Sequence, residues 1–388
     1  MATVAKRRWK GSDGKFREAW RLKYVDQHGK TRTEQFKTKG DASARRVVVE
    51  GEVAAGIHTA NSASVTVAEA CELWIKTAIG NDRERSTIKQ YREWADLHIK
   101  PLIGATKLSK LSTPMVETFK DALLETRTLA MTAKVVRGLS SVLADAQRRG
   151  LVAQNVAKPV KVIRSGRNKK KIVVPAKEDL RAMLEAAANL GNENPSIRPL
   201  LLTVIFTGLR SSELRALRRE DVDLKRGEIT VTQRADQWRV ISVPKSEAGS
   251  RTIPIPPMLV SELRQWMLRA PHSELGLLFP NSEGGVRGHS NMLNREYWPL
   301  QVAAGLTRPS GKKDPETGAP ILRAKYAFHA LRHAAASAWI KQKPDLKRLT
   351  TWLGHSSVQI TLDTYGHLIK DDTADAAFAA AAQAELMA

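Results

Sequence analysis

The last quarter of the chain reads FHALRH from Phe328 to His333 and, about twenty residues on, GHSSVQITLDTY, ending at Tyr365. A phenol is an oxygen nucleophile, but with an unperturbed pKa of about 10 it is inert at neutral pH unless its surroundings help the proton leave. Guanidinium and imidazole groups supply that help. Arg332 suits a bidentate grip on the non-bridging oxygens of a phosphate, and His329 and His355 can donate hydrogen bonds or move protons. His329 and Arg332 stand three apart, hence on one face of a helix, and the run Ala334, Ala335, Ala336, Ala338 and Trp339 carries that helix into a core. Each fragment alone has an ordinary reading. His-x-x-Arg occurs on many amphipathic helices, Gly354-His355-Ser356-Ser357 reads as a turn with a serine cap, and a lone tyrosine packs. It is the joint pattern that suits attack on a phosphodiester.

Two upstream strings extend it. In TGLRSSELRALRREDVD, Arg210 follows a tight turn at Gly208 and heads a polar helix, with Glu213 three residues later and placed to orient it. PKSEAGSRTIPIP sets Lys245 in a loop between two strands, with Lys225 and Arg251 as other cations close by. A metal-dependent cut would call for a carboxylate cluster, whereas these strings hold mainly cations, which disfavours two-metal chemistry.

The elements that must position these groups occupy 388 residues, enough for two or three domains. The single cysteine, Cys71, lies in a helical run and reads as a small buried hydrophobe, a usage that fits a reducing cytoplasm. A basic start without an apolar run behind it reads as neither signal peptide nor membrane anchor. The formal charge is +23 with a pI near 10.2, which points to a polyanion, nucleic acid before membrane. Residues 1–64 carry a net +7, 65–163 a net +6, 164–171 a net +5 and the remainder +5. Charge spread over every segment fits a chain that wraps DNA with several modules.

Residues 1–60 read as a small β-rich module. Phe16, Trp20, Leu22, Tyr24 and Phe36 alternate between SDGK and DQHGK turns, and one helix follows, capped near Asp41 or Ser43 and ending near Gly56. ANSASV is a linker, after which four helical runs with Ser or Thr starts and Gly or Pro stops fill residues 65–160. Lys89, Arg92, Lys134 and Arg137 fall on their polar faces and are candidate phosphate contacts, a solvated face being the plain alternative. The basic linker at 161–173, with Lys169, Lys170 and Lys171, is too polar to fold alone and would lie along DNA. From 174 to 388 the pattern is mainly helical with small strands, an α+β domain; the Lys245 segment reads as a hairpin, and RPSGKKDPETGAPILRAK as a loop. The tail after Tyr365 is an Ala-rich helix with Asp371, Asp372 and Asp375 at its start and few apolar residues, Phe378 and Leu386 among them.

With Arg210, Lys245, His329, Arg332, His355 and Tyr365 in this order, the chain resembles the tyrosine recombinases of the phage integrase family. The strings T-G-L-R-x-x-E-L, H-x-L-R-H and L-G-H-x-S-x-x-x-T-x-x-x-Y carry the resemblance, which covers the whole chain. Ala330 departs from the family's pattern, which often has Asp there. The resemblance implies a multidomain protein with an arm-type DNA-binding module, an all-α, SAM-like core-binding domain and a mainly α catalytic domain. It implies Tyr365 as the nucleophile that forms a 3′-phosphotyrosyl bond, with Arg210 and Arg332 clamping the phosphate. Lys245 would be the acid for the leaving 5′-oxygen, His329 the acid/base partner of Tyr365, and His355 a donor to the phosphate. No cofactor is implied. Partners would be double-stranded attachment-site DNA, three further copies in a homotetramer, a DNA-bending protein and an excisionase. The C-terminal helix would dock on a neighbouring subunit or on its own domain. His333, one step beyond Arg332 and turned about 100° from it, reads as structural. Three other readings share the pattern: a catalytically silent DNA-binding regulator, a chromosome-resolving recombinase and a relative of type IB topoisomerases.

Overall fold

The computed structural model describes residues 2–10, 12–26, 29–54, 64–163, 172–191, 193–369 and 375–387. It divides into two compact units, Met1–Lys169 and Lys170–Ala388. In the first, β1 (Thr3–Lys10), β2 (Phe16–Val25) and β3 (Thr31–Phe36) form an antiparallel sheet in the order β1-β2-β3. The alternation seen in the sequence places Leu22 and Tyr24 on one face, where they bury with Val49 of α1 (Lys39–Ala54). The cap of α1 is earlier than expected: Thr38 Oγ1 accepts the Asp41 backbone N–H at 3.1 Å. A threonine hydroxyl just ahead of the helix reaches that N–H, whereas Asp41 and Ser43 are already inside the helix.

The helical runs follow as α2 (Val67–Gly80), α3 (Arg85–Trp94), α4 (Lys100–Ile103), α5 (Thr113–Thr126) and α6 (Leu129–Arg148), with a π-helical stretch, Ala95–Ile99, joining α3 to α4. Thr66 and Glu69 close a reciprocal capping box on α2, and Thr128 caps α6. Their apolar faces meet in one core that includes Cys71, Trp74, Phe119 and Leu139. Burial pushes the Cys71 thiol up to about 12, consistent with a packing role. Gly138 is required where α6 meets α3, since a Cβ there would lie 2.8 Å from the Trp94 ring.

The second unit begins with α7 (Lys177–Asn189) and α8 (Ile197–Thr207), the latter buried along most of its length. The short α9 (Ser211–Leu214) leads into β4 (Val222–Asp223), β5 (Glu228–Val231), β6 (Arg234–Ala235), β7 (Ile241–Ser242) and β8 (Arg251–Pro254). β5 pairs with β8 and with β4, whereas β6 and β7 pair only with each other among the described strands. The expected hairpin is therefore two ladders, and the segment holding Lys245 passes from one to the other. α10 (Pro257–Arg269) packs on α8 and α12 (Trp298–Ala303) on α7, with the short α11 (His289–Asn291) between them in the chain, and Trp266 donates its indole N–H to the Leu278 carbonyl at 2.8 Å.

The stretch read as a loop is a hairpin, β9 (Thr307–Lys313) and β10 (Pro320–Ala324). Its Pro and Gly content disguised it. Gly311 and Gly318 take positive φ, and Asp314 turns the chain by accepting the Glu316 and Thr317 backbone N–H groups. The chain closes with α13 (His329–Ile340), α14 (Leu346–Leu353), α15 (Val358–Ile369) and α16 (Asp375–Leu386). Tyr365 is inside α15, and in α16 Leu386 is exposed. Asp371 and Asp372 lie outside the described residues. No helix among the described residues is long and apolar enough to cross a membrane.

Candidate active site

Two helices stop on glycines in the left-handed region, α8 at Gly208 and α14 at Gly354, each with φ of 60°. Ending a helix this way turns the chain sharply and swings the carbonyls at the junction out of the helix. Here those carbonyls meet arginines. Gly208 O accepts Arg332 Nη1 at 2.6 Å, Leu353 O accepts Arg332 Nη2, and Gly354 O accepts Arg210 Nη2 at 2.8 Å. Backbone carbonyls thus aim both guanidinium groups, while other N–H groups remain for a phosphate.

Arg210 is also held by Glu213, which accepts its backbone N–H at 2.9 Å and its Nη1 at 2.7 Å. The same carboxylate receives Arg251 Nη1 at 3.1 Å and Nη2 at 2.9 Å. Burial alone would raise the Glu213 carboxyl, but the hydrogen bonds and charges of Arg251 and Arg210 hold it down at about 2. Arg251 has a fully buried side chain and also donates Nε to Trp352 O at 2.7 Å, tying β8 to the last turn of α14. Sequence reasoning named Arg251 only as a neighbouring cation. The usable signal was the alternation in RTIPI, where Arg251 falls in register with the buried Ile253 and Ile255.

Arg332 is 2% exposed. Its burial, with the nearby charge of Arg210, brings the guanidinium down to about 9, so it is still cationic at neutral pH. His355 follows Gly354 directly. Its Nδ1 lies 2.9 Å from Thr361 Oγ1, and its ring stacks parallel to that of Tyr365 with centroids 6.4 Å apart. Burial first, then Arg332 and Arg210, lowers the imidazole to about 4. His329 at the start of α13 is lowered from its ordinary value by burial and by the same two arginines.

Tyr365 is 1% exposed, and its hydroxyl lies 2.8 Å from His333 Nδ1. In the structure the phenol's hydrogen-bond partner is therefore His333, read from the sequence as structural, rather than His329. One step from Arg332 does turn His333 away from that side chain, but four steps from His329 bring it back to within about 40° of the same face. The two imidazoles meet edge-on, centroids 4.9 Å apart, and α15 delivers Tyr365 to the second of them. The neighbour three residues past His329 and the one four past it both point into the site.

The structure thus brings Arg210, Glu213, His329, Arg332, His355 and Tyr365 together. Lys245 is exposed, on the segment between β7 and β8. Lys89 and Arg92 on α3, and Lys134 and Arg137 on α6, are exposed, and Lys89 also pairs with Glu93 at 3.9 Å. Lys169, Lys170 and Lys171 lie outside the described residues. Among the described residues no group of three or more His, Cys, Asp or Glu side chains is gathered as a metal site would require.

Comparison with known proteins identifies the family and the fold. The model of the phage integrase family matches residues 173–371, and that of the phage integrase N-terminal SAM-like domain matches 66–124. The chain is 24% identical over 367 residues to a tyrosine recombinase XerC-like protein of Caldanaerobacter subterraneus subsp. tengcongensis, covering 89% of this chain and 90% of that one. It is also 24% identical over 391 residues to an integrase of Streptomyces ambofaciens, covering 95% of each. Among solved structures, the Tn1549 transposon integrase in complex with a circular intermediate DNA aligns with a TM-score of 0.65 at 17% identity, covering 82% of this chain and all of that one. A lambda integrase tetramer bound to a Holliday junction aligns with a TM-score of 0.57 at 16% identity, covering 90% and 95%. A family model that spans half the chain places this protein in the phage integrase family, as one of its tyrosine recombinases.

Proposed function

We propose that the protein is a site-specific DNA recombinase, an integrase that inserts or excises a phage or other mobile element through a 3′-phosphotyrosyl intermediate. The observation that carries this reading is the convergence of Arg210 and Arg332, both aimed by helix-terminal carbonyls, beside the hydroxyl-bearing Tyr365. Tyr365 attacks the scissile phosphate in line and releases a 5′-hydroxyl, which later attacks the phosphotyrosine of a partner strand. Each ester is exchanged for one of like energy, so no energy-rich cofactor enters. The two arginines stabilise charge on the phosphoryl oxygens as it builds in the transition state. His355, its Nδ1 turned to Thr361, has Nε2 left to donate to the phosphate. Lys245 is assigned the proton for the leaving oxygen, which requires its exposed segment to fold over bound DNA.

The likeness to integrases solved on DNA, a lambda integrase tetramer on a Holliday junction among them, supports action on double-stranded DNA; on this reading a homotetramer assembles on attachment sites, with a DNA-bending protein and an excisionase as partners, in a bacterial cytoplasm. Residues 1–60 serve as the arm-type module, 65–160 as the core-binding domain and 174–388 as the catalytic domain. The arm module favours a mobile-element integrase over a chromosome-resolving recombinase. The test is a nicked suicide duplex carrying the element's attachment site. Wild type should give a denaturant-resistant protein–DNA adduct, and its absence would leave the silent DNA-binding regulator as the better reading.

A further inference from the structure

We propose that His333 is the proton acceptor for Tyr365, taking the phenolic proton on Nδ1 as the tyrosine attacks the phosphate and returning it when the strand is rejoined. The inference rests on the recombinase reading of the site. It starts from contact with the reacting atom: the Tyr365 hydroxyl is 2.8 Å from His333 Nδ1, with the two rings tilted at 67°. The other imidazoles are less well placed for the task. His355 turns its Nδ1 to Thr361 Oγ1 and holds its ring parallel to that of the tyrosine with centroids 6.4 Å apart, and His329 stands edge-on to His333 on the preceding turn.

The electrostatics agree with the geometry. Burial raises the Tyr365 phenol, and Arg332 and Arg210 pull it back only in part, so the group enters the reaction protonated and needs an acceptor. His333 is lowered to about 4 by burial, His329 and Arg332, and is therefore neutral at pH 7 with a lone pair to offer. The charged or titratable groups facing it are His329 and Arg332 from α13 and Tyr365 from α15. As the Tyr365 oxygen gives its electron pair to phosphorus, the nearby imidazole becomes an imidazolium, whose positive charge offsets the negative charge that builds on the phosphoryl oxygens held by the arginines. In the step, the Tyr365 O–H bond breaks and its proton joins Nδ1. The oxygen's electron pair forms the bond to phosphorus, and the bond from phosphorus to the 5′-oxygen breaks, that oxygen receiving a separate proton from the acid on its own side.

Two measurements on the full chain test this. Long-range proton–nitrogen spectra of histidine-labelled protein, assigned with His333→Gln, should show His333 protonated on Nε2 and bare on Nδ1 at pH 7, and Tyr365→Phe should move the Nδ1 resonance. A proton resident on Nδ1 overturns the proposal. Single-turnover adduct formation on the nicked attachment-site duplex should fall by about 100-fold or more in both His333→Gln and His333→Asn, with DNA affinity unchanged. Asparagine can still accept the hydrogen bond but cannot take the proton, so near-wild-type rates in His333→Asn would overturn the catalytic assignment. Sulfur in place of the bridging 5′-oxygen relieves the need for an acid at the leaving group but not for a base at the nucleophile. Such a duplex should restore Lys245→Ala and leave His333→Asn slow, and rescue of His333→Asn would likewise overturn the proposal. No adduct with wild type would instead overturn the recombinase reading beneath it.

Discussion

Gly354 offers its carbonyl to Arg210 Nη2 at 2.8 Å, so the turn that introduces His355 also aims an arginine 144 residues upstream. A Cβ at Gly354 would lie 2.8 Å from Arg251 Nη1 and 3.1 Å from the Ala248 carbonyl, in a backbone conformation that itself costs an L-residue about 1–2 kcal/mol. Gly354→Ala should therefore lower the midpoint of thermal unfolding by roughly 4 °C or more, read by circular dichroism, and should slow adduct formation by misplacing Arg210. An unchanged midpoint would mean that the turn tolerates a side chain and does not govern the site.

Glu213 sits between two guanidiniums, and its removal leaves Arg251 buried without a counter-charge. Glu213→Gln should cost about 3–5 kcal/mol, measurable as a shift in urea midpoint. Its carboxyl is held at about 2, below the ordinary 4.5 of the unfolded chain. The stabilisation is thus complete above about 4.5 and is lost as pH falls toward 2. Wild type should show that acid slope, and the variant should show less of it.

His333 and His355 are both lowered from 6.5 to about 4. The fold favours their neutral forms, so their stabilising effect is complete above pH 6.5 and declines as pH drops through the window down to 4. Unfolding midpoints at successive pH values should fall across that window, and His333→Gln with His355→Gln should flatten the curve. Above pH 7 neither variant should alter the slope.

Tyr365→Phe removes only the hydroxyl. It should abolish the covalent adduct while leaving duplex affinity within about twofold, and its stability should change by only about 1 kcal/mol, the scale of one hydrogen bond. A gel of denatured reactions beside a binding titration checks both halves.

With a net charge of +23, affinity for duplex DNA should fall steeply with salt. Alanine at Arg92 or Arg137, exposed on α3 and α6, should each reduce the slope of log affinity against log salt by about 0.9 if that residue meets a phosphate. A slope unchanged in both variants would remove that pair of helices from the proposed DNA surface.

Much of the site was legible because its residues belong to local motifs. Gly208 must be glycine for α8 to end as it does, and Arg210 and Glu213 are then one turn apart whatever the rest of the chain does. The same holds for His329 with Arg332 and for Gly354 with His355. Lys245 was legible as a cation between strands, but the pairing around it was not, since β5 pairs with β8 past the intervening β6 and β7, which pair with each other. The β9–β10 hairpin was hidden because its strands are exposed and rich in Pro and Gly, so neither alternation nor a buried face marks them.

The amino-acid order alone settles which side chains the site can draw upon, along with the basic character of every segment and the helix ends that aim the arginines, because these depend on residue type and on spacing of a few residues. The partner of Tyr365 and the burial of Arg251 were settled by packing. His333 and Tyr365 are 32 residues apart on different helices, and Arg251 and Glu213 are 38 apart on a strand and a short helix. Helical periodicity says which face each residue occupies, but not which face of α15 lies on α13 or which carboxylate waits behind β8. Those contacts follow from the crossing of whole elements around a shared core, a property of no single segment.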